Sequence, residues 1–395
     1  MSTVHLQDLS DQSLRSAGSL KWALDGPEVI PAWIAEMDFA LADPVQQAVS
    51  DYAARGVFGY ADPYGAIAVP AALAGFAQRQ WGHTIDPHRT LVVGDVMETM
   101  ALTLRWVAPS GPVIIPSPVY PPFFVLARSL DRKIRAVPLI RESAKATHHG
   151  TSPADLRLTF DLQGIKHEAR AGARTLLLCQ PHNPVGRCYT RAELVALRDV
   201  VEPLGVHVVS DEIHAPLTLP GVEFVPYAAV ASPDAPVTTL MSATKAFSMP
   251  GLRCAQLISH RASDHETLNA LHPVLNHSMT TLGQHTTVAA YTNGDAWLED
   301  VRVRIAANHE QFRLSMSELA PQVRIERPEA TYLSWLDVSD VSGADPVTAA
   351  LQHGVRVDSQ GSGYGSGSAD RIRVNLATSP DRVAEIVQRL GAAWA

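Results

Sequence analysis

Seven short runs of aliphatic and β-branched residues punctuate the middle of the chain, at 90–93, 112–115, 134–138, 175–179, 207–209, 238–241 and 255–259. Several are apolar almost throughout, as in Thr175-Leu-Leu-Leu-Cys179, and lack the alternation of a strand with one wet face. Such a strand needs cover on both sides. Helix-like segments at 98–108, 122–130, 191–204 and 264–270 lie between the runs and can supply it, while Gly, Pro, Asn or Asp follows closely on most of the runs. The pattern predicts an α/β lobe built on a mostly parallel sheet. Ligands of such sheets sit beyond the carboxyl ends of the strands, so the residues just past each run are where chemistry is expected.

The last third follows another plan. It reads as one long helical stretch over 283–319, extended segments at 331–337 and 372–375, and a closing helix over 381–394. A chain of 395 residues is long enough for two lobes. The expected division is a large domain over 45–285 and a smaller α+β domain made of 1–44 and 286–395. The segment Gly361-Ser-Gly-Tyr-Gly-Ser-Gly367 has no strand-to-helix context for a phosphate loop, and is expected to be a surface or active-site loop. A net charge of −8 argues against a nucleic-acid partner. No apolar run reaches the ~20 residues of a membrane span. Three cysteines without metal spacing or a disulfide framework fit a reducing cytoplasm.

Only five of the thirty-two basic residues are lysines. Lys21, Lys133, Lys145 and Lys166 have polar or charged neighbours and are expected on solvated faces. Lys245, in Ser242-Ala-Thr-Lys-Ala-Phe, follows a buried run directly. Burial there would disfavour the ammonium, and a neutral amine is what a Schiff base requires; a lysine at a strand end can also simply snorkel to water. Two further strand ends carry Ser210-Asp-Glu-Ile-His214 and Asn183-Pro-Val-Gly186. Singly, the first could be a helix cap and the second a turn. Three in this order point to a common site.

With these blocks in view, the chain resembles the fold-type I pyridoxal 5′-phosphate enzymes of the aminotransferase class I/II superfamily. Within them it is most similar to the cystathionine β-lyase-like C–S lyases. The resemblance also rests on Trp33-Ile-Ala-Glu-Met-Asp-Phe39, Val57-Phe-Gly-Tyr60, Pro118-Val-Tyr-Pro-Pro-Phe123, Glu329-Ala-Thr-Tyr-Leu-Ser-Trp-Leu-Asp337 and Ile372-Arg-Val-Asn-Leu-Ala377. It implies that Lys245 holds the cofactor as an aldimine and moves the Cα proton, that Asp211 keeps the pyridine nitrogen protonated, and that Asn183 and Tyr120 contact the ring. For the phosphate it implies the amides of Val96 and Met97, the hydroxyl of Ser242 with Thr244 as a weaker candidate, and Arg253, an arginine that many of the lyases lack. Tyr60 would reach the phosphate of a neighbouring subunit and also serve its substrate site, which implies a homodimer. Arg373 would bind the substrate α-carboxylate, although Arg371 points the same way along a strand. His214 stands where aminotransferases commonly carry a tyrosine next to the cofactor oxygen and is a cofactor-binding candidate on that ground, with a hydrogen-bonded buried histidine as the other reading.

The activity implied is β-elimination from an S-substituted L-cysteine, giving a thiol, pyruvate and ammonia by way of a quinonoid. An aminotransferase, to which Arg253 lends support, and a biosynthetic lyase for a bulky thioconjugate are the alternatives. A non-catalytic partner would have no physical use for Lys245, Asp211, Asn183, Tyr120 and Arg373 together.

Overall fold

A computed structural model describes residues 6–61, 68–143, 156–271, 278–358 and 361–395. Its centre is a seven-stranded sheet of β1 (Thr90–Val93), β2 (Val113–Ser117), β3 (Ile134–Pro138), β4 (Thr175–Cys179), β5 (His207–Asp211), β6 (Val237–Met241) and β7 (Ala255–Ser259), in the spatial order β1-β7-β6-β5-β4-β2-β3. The run from β6 through β5, β4 and β2 to β3 is parallel. Only β7 runs against both of its neighbours.

Strand β4 shows why these segments lack alternation. Leu176 and Leu178 point to one face and pack with Leu194, Leu197 and Val201 of the helix Arg191–Val201. Leu177 and Cys179 point to the other and pack with Met100, Phe123 and Val209. Each leucine is fully buried, worth roughly 1.5–3 kcal/mol apiece. Thr190 starts the covering helix with a capping box: its hydroxyl accepts from the Glu193 amide while the Glu193 carboxylate accepts from the Thr190 amide.

A second core forms around the antiparallel strands β8 (Arg324–Ile325), β9 (Leu333–Asp337) and β10 (Arg371–Asn375). The helices Asp295–Leu319 and Pro380–Trp394 bury Phe312, Met316, Val383, Ile386 and Leu390 against it.

Two expectations need correction. The helix expected over 283–319 is two helices, Thr281–Asn293 and Asp295–Leu319, that meet at Gly294. A Cβ on Gly294 would lie 2.4 Å from the Phe247 ring, so the break lets that ring pack where a continuous side-chain surface would exclude it. Lys21 is not on a solvated face. It is 2% exposed and its ammonium donates to Asp38 Oδ1 at 2.8 Å and to the Glu36 carbonyl at 3.0 Å. Its local neighbours gave no hint of this, because Asp38 arrives from the Met-Asp-Phe segment. Lys133 is exposed and Lys166 half-buried; Lys145 lies outside the described residues.

Candidate active site

The carboxyl ends of β4, β5 and β6 lie side by side, as their parallel pairing requires, and each delivers one polar residue. Asp211 ends β5 with a buried carboxylate whose Oδ1 accepts from the Ile213 amide at 3.1 Å. Its carbonyl accepts from the Gln180 amide at 2.9 Å, which sets the β4 turn beside it. That turn presents Asn183, whose carbonyl accepts from the Tyr120 amide and whose Oδ1 accepts from Arg373 Nη1, both at 3.1 Å. Lys245 follows β6, and its amine donates to the Ala35 carbonyl at 2.9 Å, an oxygen that also accepts from the Tyr332 hydroxyl at 3.0 Å. The Trp33–Phe39 segment thus closes one side of the site.

Burial shapes the charges. The Lys245 amine is pushed down to about 8, first by burial and then by the nearby Arg373 guanidinium, against the pull of Glu36 and Asp211. The Asp211 carboxyl is pushed up to about 7 by burial, with Lys245 acting the other way. Burial raises the Tyr120 phenol, opposed by Arg373 and reinforced by Asp211, Asp358 and Asp95. Groups from segments far apart in the chain therefore share one field. Burial likewise lowers the His214 imidazole to about 3, helped by Lys245 and Arg373, so it is neutral. Its Nδ1 is buried without a hydrogen-bond partner among the described residues, and the ring meets Tyr332 edge-on at 6.4 Å.

Arg373 and Arg371 separate cleanly. Arg373 is 4% exposed and faces Asn183, whereas Arg371 joins Asp337 at 3.1 Å and Glu326 at 3.8 Å at the far end of β10. Arg253 adopts a left-handed backbone with φ of 47° and donates to Asp95 Oδ2 at 2.8 Å. Asp95 caps the helix Val96–Trp106 through the Glu98 amide, so the arginine stands at the helix start that carries the Val96 and Met97 amides. Ser242 is buried and gives its proton to the Cys254 carbonyl at 2.7 Å, and Thr244 is hydrogen-bonded to Ser242 at 2.8 Å. Tyr60 lies on the loop after the helix Asp43–Arg55 and is 94% exposed, beside exposed Phe58 and Val57.

Sequence reasoning missed three contributors. Asp358 pairs with Arg373 at 2.5 Å, Tyr364 donates to Asp358 at 2.7 Å, and Ala35 acts only through its carbonyl. The available signal was Tyr364, a lone aromatic within the glycine-serine loop. The loop's 3-10 turn, Gly361–Tyr364, buries that ring against Trp335, so this segment belongs to the site.

These residues fit pyridoxal phosphate. A helix start has amides without intrahelical partners, suited to an anion, and Arg253 adds positive charge there. A buried carboxylate suits a protonated ring nitrogen. Arg373 Nε is buried and unpartnered among the described residues, a cost on the order of 1–3 kcal/mol that an incoming acceptor would relieve.

The comparisons with known proteins agree with that fit. The family model for aminotransferase class I and II matches residues 34–390. The chain belongs to this family. A putative cystathionine β-lyase of Mycobacterium leprae is 34% identical over 100% of the chain and 99% of its own length. Cystathionine β-lyase PatB of Bacillus subtilis is 28% identical, covering 95% of the chain and 96% of the relative. Among solved structures of the family, a putative PLP-dependent β-cystathionase from Corynebacterium diphtheriae superposes with a TM-score of 0.88 at 30% identity, covering 98% and 99% of the two chains.

Proposed function

We propose that this pyridoxal phosphate-dependent lyase eliminates a thiol from Cβ of an S-substituted L-cysteine such as cystathionine. The observation that carries the reading is the Lys245 amine, held between the Ala35 carbonyl and the field of Asp211 and Arg373 at the carboxyl edge of the sheet. The names of the relatives favour the lyase over the aminotransferase. When bound, the cofactor supplies an electron sink for the pair released at Cα.

The chain's own residues would do the rest. Lys245, with an amine pushed down to about 8, takes the Cα proton. Asp211 would stabilise a positive ring nitrogen, Asn183 would donate through its amide nitrogen to the ring oxygen, and Tyr120 would pack on the ring. Arg373 receives the α-carboxylate. The C–S bond then breaks, sulfur leaves with the bonding pair and gains a proton as the thiol, and water converts the remaining enamine to pyruvate and ammonia. Val96, Met97, Ser242, Thr244 and Arg253 would hold the phosphate. For Ser242 and Thr244 this requires their hydroxyls to turn from their present partners.

A homodimer belongs to the same reading. Val57, Phe58 and Tyr60 are 68%, 70% and 94% exposed, an apolar strip that a second copy would cover while Tyr60 reaches its neighbour's phosphate and substrate.

Purified protein given L-cystathionine should release pyruvate and a free thiol without any keto acid. Strict dependence on a keto-acid acceptor would favour the aminotransferase instead. Lys245→Ala should abolish turnover and the cofactor's visible Schiff-base absorbance.

A further inference from the structure

The Arg373 guanidinium already has a carboxylate partner inside the protein. Its Nη2 donates to Asp358 Oδ2 at 2.5 Å and to the Trp33 carbonyl at 3.2 Å, and its Nη1 donates to Asn183 Oδ1 at 3.1 Å. A carboxylate can form a two-pronged pair with a guanidinium end-on, through one proton of each Nη, or side-on, through Nε and Nη2. Both arrangements need a proton of Nη2, and Nη2 already donates to two acceptors, Asp358 and the Trp33 carbonyl.

Asp358 is built into this position. It is 4% exposed, its amide donates to the Arg373 carbonyl at 3.1 Å, and the Tyr364 hydroxyl donates to its Oδ2 at 2.7 Å. Tyr364 is anchored in turn: its carbonyl accepts from the Val119 amide, and Gly365, at φ of 115°, folds the chain tightly against Ser117. An α-carboxylate arriving at Arg373 therefore meets a fixed negative charge on the same guanidinium.

We propose that Asp358 is an internal competitor for Arg373 that keeps the site's affinity for an α-carboxylate low. The inference rests on Arg373 being the carboxylate-binding residue. Its consequence is that an amino acid offering only the common α-amine and α-carboxylate occupies the site poorly, while a substrate with further contacts through its sulfur substituent reaches useful affinity. Because the carboxylate is bound in substrate and transition state alike, the effect belongs in KM and not in kcat.

Asp358→Asn removes the charge and keeps an oxygen to accept from Arg373 and Tyr364. In the cofactor-loaded enzyme, KM for L-cystathionine and the inhibition constant of L-alanine should both fall about tenfold, equivalent to ~1.4 kcal/mol, with kcat within about twofold of the parent. Asp358→Ser should move KM in the same direction. An unchanged or increased KM in both variants, each shown by thermal melting to be folded, overturns the proposal and leaves Asp358 as a support that positions Arg373. Arg373→Lys separates the two layers. A raised KM there sustains the carboxylate assignment whatever Asp358 does, whereas an unchanged KM removes the assignment and the inference together.

Discussion

Burial and the Arg373 guanidinium both hold the Lys245 amine down, at about 8 in the cofactor-free site. The neutral amine is the reactive form, so the rate at which pyridoxal phosphate restores the visible absorbance of the apoprotein should climb with pH and level off above about 8. Arg373→Leu removes a like charge, which raises the amine, and the same profile should move to higher pH. Glu212 makes the opposite case. Burial pushes its carboxyl up to about 8, even though its Oε1 accepts from the Tyr227 amide and the Ser210 hydroxyl. A carboxyl raised in the folded state contributes stability that is present at low pH and lost as pH rises from its unfolded value through about 8. The cofactor-free parent should therefore melt progressively below Glu212→Gln as pH rises from about 4.5 to about 8, by on the order of 1 kcal/mol per unit inside that window and no further above it. Lys245 and Asp211 were legible as candidates from their strand ends, and the roles proposed for them came with the family resemblance. Asp358 was not, because nothing in the local sequence says which of many aspartates will meet Arg373.

The elements divide by how local their cause is. Strands β1, β3, β4 and β7 match the sequence reading at both ends, since a short run rich in apolar residues that gives way to polar or turn-forming ones is a short-range signal. The long C-terminal helix was read without its break, and the ring that demands a glycine at that break, Phe247, lies far away in the chain. Gly294→Ala tests that demand. Its φ of −90° is open to any residue, so backbone strain plays no part, and the added Cβ would meet the Phe247 ring at 2.4 Å and the Ala290 carbonyl oxygen at 2.5 Å. Denaturant unfolding should show a loss of roughly 1–3 kcal/mol, the usual cost of overpacking. The paired variant Gly294→Ala with Phe247→Leu should recover part of it.

For the whole molecule, the exposed strip at Val57, Phe58 and Tyr60 is the feature a single chain leaves unexplained. If a second copy covers it, Phe58→Asp should lower the sedimentation mass toward one chain. It should also lower activity, because Tyr60 would no longer reach a neighbour's site. Tyr60→Phe should keep the assembly and weaken cofactor retention, measured as the rate of loss on dialysis. The free thiols take no part in this, since Cys179, Cys188 and Cys254 are all buried and burial raises each of them.

By itself the sequence determined what depends on neighbours along the chain: the buried strands, their order of appearance, and the polar residue that follows each. Parallel pairing then brings those strand ends together almost automatically, which is why Lys245, Asp211 and Asn183 could be named in advance. The tertiary structure alone decided contacts between distant segments: Lys21 with Asp38, the Ala35 carbonyl with Lys245, and Asp358 with Arg373. The physical reason is that a charge buried on folding must find a partner. Composition can say that such a partner is needed, but only the folded chain brings the two within reach.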